Sequence, residues 1–319
     1  MTRRPRFFPL IAACVSVAAA LSGCSRVIGL PAVPESLTRA DAGLDGIEQA
    51  AIQARVAVDR IEHGDSPSGL RAFAELVEAK PTNLVLGNAF RMEVYRLKRQ
   101  LLVAARARGE RSPAFPDFFR AEPLATLTRI AAKNPTKELR VQIGLSYVDL
   151  MVLDPALEVR APASIDSVHA FTSVLADHPY DVPALVGRGL NHLNRPGKLV
   201  WPEHPAPPAD AASRDLALAA AVGAKVGGAS ERVKGILLLL LGDAYAHEGK
   251  AGLARSWWTV AAATTNDRGV QAELALRAGW PEPEMPDRIE ARLEERMADM
   301  EAPVSDLSFL WNDDARGPW

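Results

Sequence analysis

Two sets of polar residues on otherwise apolar, helix-forming stretches are the candidates for binding chemistry. Asn191, His192 and Asn194 offer amide and imidazole donors and acceptors within four positions. Asp243 and His247 lie four residues apart and therefore on one face of a helix. Both sets could face a groove and bind a peptide or a small ligand. In the alternative interpretation, Asn194 satisfies carbonyl groups at a helix end, His192 fills a packing position, and the other residues are ordinary polar residues.

Motifs for catalysis are absent from the sequence. There is no G-x-S-x-G, P-loop, G-x-G-x-x-G or H-E-x-x-H pattern, and the six His residues are scattered. A metal site assembled from Asp177, His178 and His204 has little support, because both His residues precede Pro in predicted turns. We therefore expect a protein that is not an enzyme and needs no metal or cofactor.

Several aromatic residues lie where a partner could contact them. Trp201 is in a Pro-rich insert, and Phe309 and Trp311 are in the last residues of the chain. Trp257 and Trp258 are adjacent on a helix and point about 100° apart, so that Trp258 is predicted in the core and Trp257 half-exposed. Such side chains dock on a partner or fold back on the protein's own last helices, and the sequence leaves both possibilities open.

The composition limits the fold class and the partners. The chain is 48% hydrophobic and 24% charged, as is typical of a globular protein, and β-branched alternation is scarce. This pattern predicts an all-α protein. The formal net charge is −2, which argues against nucleic acid as a partner.

The clearest element is a helical hairpin over residues 235–268. Leu238, Leu241-Gly242 and Tyr245 mark its first helix, and Ala254 and Trp258 mark its second. The hairpin resembles a tetratricopeptide (TPR) repeat, in which W-x2-L-G-x2-Y is followed by A-x3-F. The resemblance implies a TPR-like α-solenoid of antiparallel helix pairs, in which each pair buries its apolar face against its neighbours.

The repeat pattern extends beyond this hairpin. It is recognisable over residues 137–268 and weak over 68–133, and we expect 11 to 13 helices in a helical domain at residues 37–300. The predicted helices are 37–62, 69–79, 83–108, 121–133, 137–153, 164–177, 181–194, 213–226, the pair within 235–268, 269–278 and 286–300, with a loop at 154–163 and a tail at 301–319.

The N-terminus has the features of a secretory leader. A basic start and an apolar run end at Leu21-Ser22-Gly23-Cys24. This resembles a bacterial lipobox, which implies a signal peptide at residues 1–23 and acylation of Cys24, with palmitate among the chains, followed by a tether at residues 24–36. Acyl chains on Cys24 would anchor the protein to a membrane facing the periplasm. Ser25, in place of Asp, favours the outer membrane.

The function expected from these observations is that of a membrane-anchored periplasmic scaffold. Resemblance to TPR proteins implies that its groove binds an envelope protein or peptide segment. An alternative is a ligand-handling accessory lipoprotein of a TRAP-type transport system, which would need a cavity for a small molecule. An enzyme is a third, less favoured possibility, since nothing in the sequence suggests clustered ionisable groups.

Overall fold

A computed structural model of the chain describes residues 29–44, 66–110, 115, 117–153, 157–194, 208–226, 229–298, 303–315, 317 and 318. Within these ranges there is no β-strand, and eleven α-helices have ten residues or more. The all-α prediction is confirmed. The helices are α1 Ser66–Ala79, α2 Leu84–Ala107, α3 Leu124–Lys133, α4 Lys137–Leu153, α5 Leu157–Asp177, α6 Val182–Asn194, α7 Ala211–Lys225, α8 Glu231–His247, α9 Ala251–Thr264, α10 Arg268–Ala278 and α11 Met285–Ala298. Short helical turns lie at Asp117–Arg120, Glu282–Glu284 and Ser308–Leu310.

Side-chain caps fix where several helices begin. Asn83, Ser230 and Asp267 precede α2, α8 and α10, and each accepts a hydrogen bond from a backbone N–H of the first turn at 3.0, 3.2 and 2.9 Å. These bonds satisfy donors that a helix start leaves unpaired. Between α8 and α9 the chain reverses at Gly249, whose φ of 73° suits a residue without Cβ, and Lys250 N–H donates to the Tyr245 carbonyl at 2.8 Å.

Consecutive helices pack against each other along the chain. The most extensive pairs are α4 with α5 and α8 with α9, and α5 to α10 form an unbroken series of neighbours. Alternate helices also touch, since α2 packs on α4, α4 on α6 and α8 on α10. The arrangement is consistent with a helical repeat array. One contiguous core runs from α1 to the C-terminal residues.

Glycines opposite aromatic rings set the close approach of paired helices. A Cβ added at Gly144 of α4 would lie 2.9 Å from the Phe171 ring of α5, and one added at Gly187 of α6 would lie 2.5 Å from the same ring. A Cβ at Gly242 of α8 would likewise overlap Trp258 of α9. The small-against-large contact thus recurs in three pairs of neighbouring helices.

The structure differs from the predicted helix bounds in two places. Residues 37–44 form turns, not the start of a helix, because Thr38 and Asp41 bond each other's side chain and backbone at 2.7 to 3.2 Å and compete with helical bonding. Residues 45–65 lie outside the described ranges. The predicted loop at 154–163 is also wrong for residues 157–163, since α5 includes Pro162 near its start. Pro162 removes a single helical hydrogen bond there, while α5 packs extensively against α4.

None of the described helices combines the length and apolar character that crossing a membrane requires.

Candidate functional site

The C-terminal residues 303–315, 317 and 318, called here the tail segment, lie against the helices. Apart from the turn at Ser308–Leu310 the tail segment is not helical. Val304, Leu307 and Phe309 are fully buried, and Leu310 is 8% exposed. The surface of α2, α4, α8 and α11 that contacts the tail segment is called here the tail-binding surface, and it holds a non-helical stretch of protein chain.

Three arginines of the tail-binding surface bond backbone carbonyl groups of the tail segment. Arg91 of α2 donates through Nη2 to the Ser305 carbonyl at 2.6 Å. Arg296 of α11 donates to the Gly317 carbonyl at 2.7 Å, and Arg232 of α8 donates to the Ala315 carbonyl. Every peptide offers carbonyl oxygens, so these contacts fix the path of a bound chain without reading its sequence.

Side-chain contacts add selectivity to this arrangement. Asn88 Nδ2 donates to Asp306 Oδ1 at 2.9 Å, and Ser230 Oγ donates to Asp313 Oδ1 at 2.9 Å. The Ser305 hydroxyl donates to Asp149 Oδ1. The surface therefore contacts hydroxyl and carboxylate groups of the tail segment as well as its apolar side chains.

Arg91 is the centre of the polar contacts and is fully buried. Besides the tail, it donates to Gln142 Oε1 at 3.0 Å and to Asn88 Oδ1 at 2.9 Å, and it pairs with Asp149 Oδ2 at 2.6 Å. Burial raises the pKa of Asp149, while Arg91 and Ser305 act against that rise. Since a buried charge needs a partner, Arg91, Asp149 and Ser305 depend on one another.

A cleft of about 680 Å³ adjoins this network. It lies between α3 and α4 and is lined by residues of α2, of the segment 120–123, of α3 and of α4, including Asp149. Lys98 of α2 lines it too, and its ammonium group donates to the carbonyls of Arg120, at 2.9 Å, and Glu122. The cleft has the size of sites that hold small molecules.

The polar residues singled out from the sequence do not form one group. Asn191 is fully buried between α5 and α6, where Ser164 Oγ donates to its Oδ1 at 3.1 Å. Asp243 accepts from Arg277 at 2.6 and 2.7 Å and from Trp258 Nε1 at 3.0 Å. Both side chains thus support the interior of the array.

The remaining polar candidates lie at helix ends. His192 and His247 are half-buried on the last turns of α6 and α8. Asn194 is the last residue of α6, and its side chain is outside the described part of the structure. Within the described residues no group of three or more His, Cys, Asp or Glu could hold a metal ion.

The aromatic candidates are more buried than their sequence positions suggest. Trp257 is 4% exposed, so the expected half-exposure is wrong. Because α9 packs against both α8 and α10, side chains on two different faces of α9 are buried. Phe309 is fully buried and Trp311 half-buried, both within the tail segment. The tail does fold back on the protein, but its contacts reach α2 and α4 as well as the last helices. Trp201 and Cys24 lie outside the described residues.

One feature of the sequence indicates that α4 contributes to this network. Asp149 is the single charged residue between Arg140 and Asp154, within an apolar helical stretch. A lone carboxylate on such a helix must find a cation elsewhere if it is buried. Nothing in the sequence indicates that this cation is Arg91 or that Ser305 completes the site.

Comparisons with known proteins add no relative: no protein-family model, no curated protein and no solved structure matches the chain.

Proposed function

We propose that this chain is a non-catalytic, TPR-like lipoprotein of the bacterial envelope that acts as a scaffold by binding a segment of another protein. The observation that carries the proposal is the docking of the tail segment. The helices hold a non-helical stretch of chain by arginine–carbonyl bonds and by buried apolar side chains. A partner segment of similar chemistry would take the place of the tail segment.

The TPR-like nature of the array is supported by the contacts between paired helices. Gly144 with Phe171 and Gly242 with Trp258 place a glycine of one helix under an aromatic ring of the next. In TPR repeats the A-x3-F pair belongs to the second helix, which is where Trp258 lies. Packing between alternate helices, such as α2 with α4, is what stacking of successive pairs would produce.

The membrane anchor is proposed on the sequence alone. The leader and its Leu21-Ser22-Gly23-Cys24 end support acylation of Cys24, which would hold the body near the periplasmic face of the outer membrane. Metabolic labelling with an alkyne fatty acid tests this step. Label should appear on the wild-type chain and be absent from Cys24→Ser; label on neither chain would contradict the anchor.

The experiment that tests scaffold function is photo-crosslinking in intact envelopes. A photoreactive residue at exposed Glu231, next to Arg232, reports on what contacts the tail-binding surface. We expect a crosslinked partner whose yield rises in Phe309→Ala, where the tail is held less firmly, and falls when a peptide of residues 301–319 is added. A yield that neither change affects would contradict binding at this surface.

A second candidate function is the accessory role in TRAP-type uptake. The observation that favours it is the cleft of about 680 Å³, since such a protein must hold a small molecule. Calorimetry with candidate substrates separates the two functions, because a scaffold has no need to bind them.

A further inference from the structure

The cleft between α3 and α4 combines an apolar lining with one cation at a fixed position. Its lining is mostly apolar, with Leu124 on one side and Leu150 and Leu153 on the other. Lys98 is 6% exposed, and two of its three donors are used by the carbonyls of Arg120 and Glu122. Its amine also lies 5.5 Å from the ring centres of Phe115 and Phe119. The ammonium group is thus held in place with one donor remaining.

The carboxylates of the cleft are engaged by other groups. Asp149 is paired with Arg91 and accepts from Ser305. Glu122 accepts from the Thr126 hydroxyl at 2.8 Å and from its backbone N–H at 3.3 Å. Among the described residues, no carboxylate lies within ion-pair distance of the Lys98 amine. The cation therefore lacks a close counter-charge in a poorly hydrated place.

The other cations of the lining, Arg120 and Arg129, are exposed to solvent, whereas Lys98 is buried. Arg129 pairs with Glu78 at 2.8 Å, outside the cleft. Burial lowers the pKa of Lys98 to about 8, because desolvation disfavours the charged form more than Glu122 and Asp149 favour it. A ligand anion beside Lys98 would supply the missing charge.

We propose that this cleft binds an apolar small molecule that ends in a single carboxylate, with the carboxylate at Lys98 and the hydrocarbon part against Leu124, Leu150 and Leu153. One buried cation fits one negative charge, which favours a monoanion over a doubly charged phosphate. None of the three carbonyl-binding arginines lines the cleft, so this inference does not depend on the proposed scaffold function.

The test is isothermal titration calorimetry at about pH 7 with octanoate and, as the uncharged match, octanol. The full chain is held in lipid nanodiscs, and empty nanodiscs are titrated to subtract partition into lipid. Octanoate should bind about tenfold more tightly than octanol, as expected for a charge-assisted hydrogen bond. Equal affinity, or no heat beyond that of empty nanodiscs, would overturn the proposal.

Variants separate the head group from the apolar part. Lys98→Met keeps the apolar stem but removes the charge. The affinity for octanoate should therefore fall to that for octanol, and the affinity for octanol should not change. Thr128→Trp places a large ring in the cleft and should weaken the binding of both ligands. Ala263→Trp, at an exposed position of α9, should change the binding of neither. A preference for octanoate that persists in Lys98→Met would refute the assigned role of the amine.

A second measurement needs no variant and covers the case in which Lys98→Met does not fold. The wild-type chain is treated with an amine-acylating ester, and acylation of Lys98 is followed by mass spectrometry. Octanoate should slow this acylation several-fold, while octanol should slow it much less. Equal protection by the two ligands would contradict an ion pair with Lys98.

Discussion

Arg91 of α2 and Ser305 of the tail segment are 214 residues apart in the chain and share a 2.6 Å hydrogen bond from Nη2 of the arginine to the backbone carbonyl. Arg91 also donates to the Ser305 hydroxyl oxygen at 3.1 Å, and that hydroxyl donates to Asp149. The last residues of the protein therefore complete a buried ion pair between two early helices. Docking of the tail segment and stability of the α2–α4 contact are coupled by this geometry.

Replacing Arg91 by Met should destabilise the protein strongly, because Asp149 would remain buried without its cation. We expect a loss of about 3–5 kcal/mol in the free energy of unfolding by urea. Arg108→Met is the matched control: Arg108 and its partner Glu110 are both exposed, so this variant should change stability far less than Arg91→Met does. The double variant Arg91→Met, Asp149→Leu should recover part of the loss. Equal effects of the two arginine variants would contradict the coupling.

Replacing Phe309 by Ala should release the tail segment. The ring is fully buried, so its removal should cost about 3–5 kcal/mol of unfolding free energy, and limited proteolysis near residue 309 should become faster. Trp311→Ala is the comparison in the same segment. Because Trp311 is only half-buried, its removal should lower the free energy of unfolding by less. Similar proteolysis rates for wild type and Phe309→Ala would show that this ring does not hold the tail.

The local elements of the fold could be predicted from sequence. The bounds of α4, Lys137–Leu153, agree with those predicted, and both predicted helices of the 235–268 hairpin are present. Helical periodicity and small-against-large pairing act between residues that are close in the chain, and a single sequence contains that information. The turn at residues 37–44 was missed because Thr38 and Asp41 favour local bonding over a helix.

The candidate site could not be predicted in the same way. Its central contacts join Arg91, Asp149 and Ser305, and no periodic pattern relates residues that are this far apart. The polar residues chosen from the sequence were notable for polarity on an apolar helix. Asn191 and Asp243 are polar because each bonds a buried polar side chain of another helix: Asn191 bonds Ser164, and Asp243 pairs with Arg277.

The stability of the wild-type chain relative to Lys98→Met should rise with pH between about 8 and 10.5. Burial lowers the pKa of Lys98 from 10.5 to about 8, so in this window the unfolded chain holds a proton that the folded chain has released. The difference in unfolding free energy should grow by about 3 kcal/mol across the window. Between about pH 5 and 7 the amine is protonated in both states, and the difference should stay flat. A flat difference through the whole range would contradict the buried position of the amine.

Replacing Gly242 by Ala should destabilise the α8–α9 pair, although Ala favours helices. The added Cβ would overlap the Trp258 ring and lie 3.2 Å from the Ala254 carbonyl oxygen, so the ring must move and its 3.0 Å hydrogen bond to Asp243 must lengthen. We expect a loss of about 1–3 kcal/mol, measured by urea unfolding, and a change in tryptophan fluorescence. Gly252→Ala on α9 is the matched control: no atom lies within 4 Å of its new Cβ, and the helix preference of Ala should stabilise the protein by about 0.5 kcal/mol. The packing argument requires opposite signs for the two variants, and a stabilising Gly242→Ala would refute it.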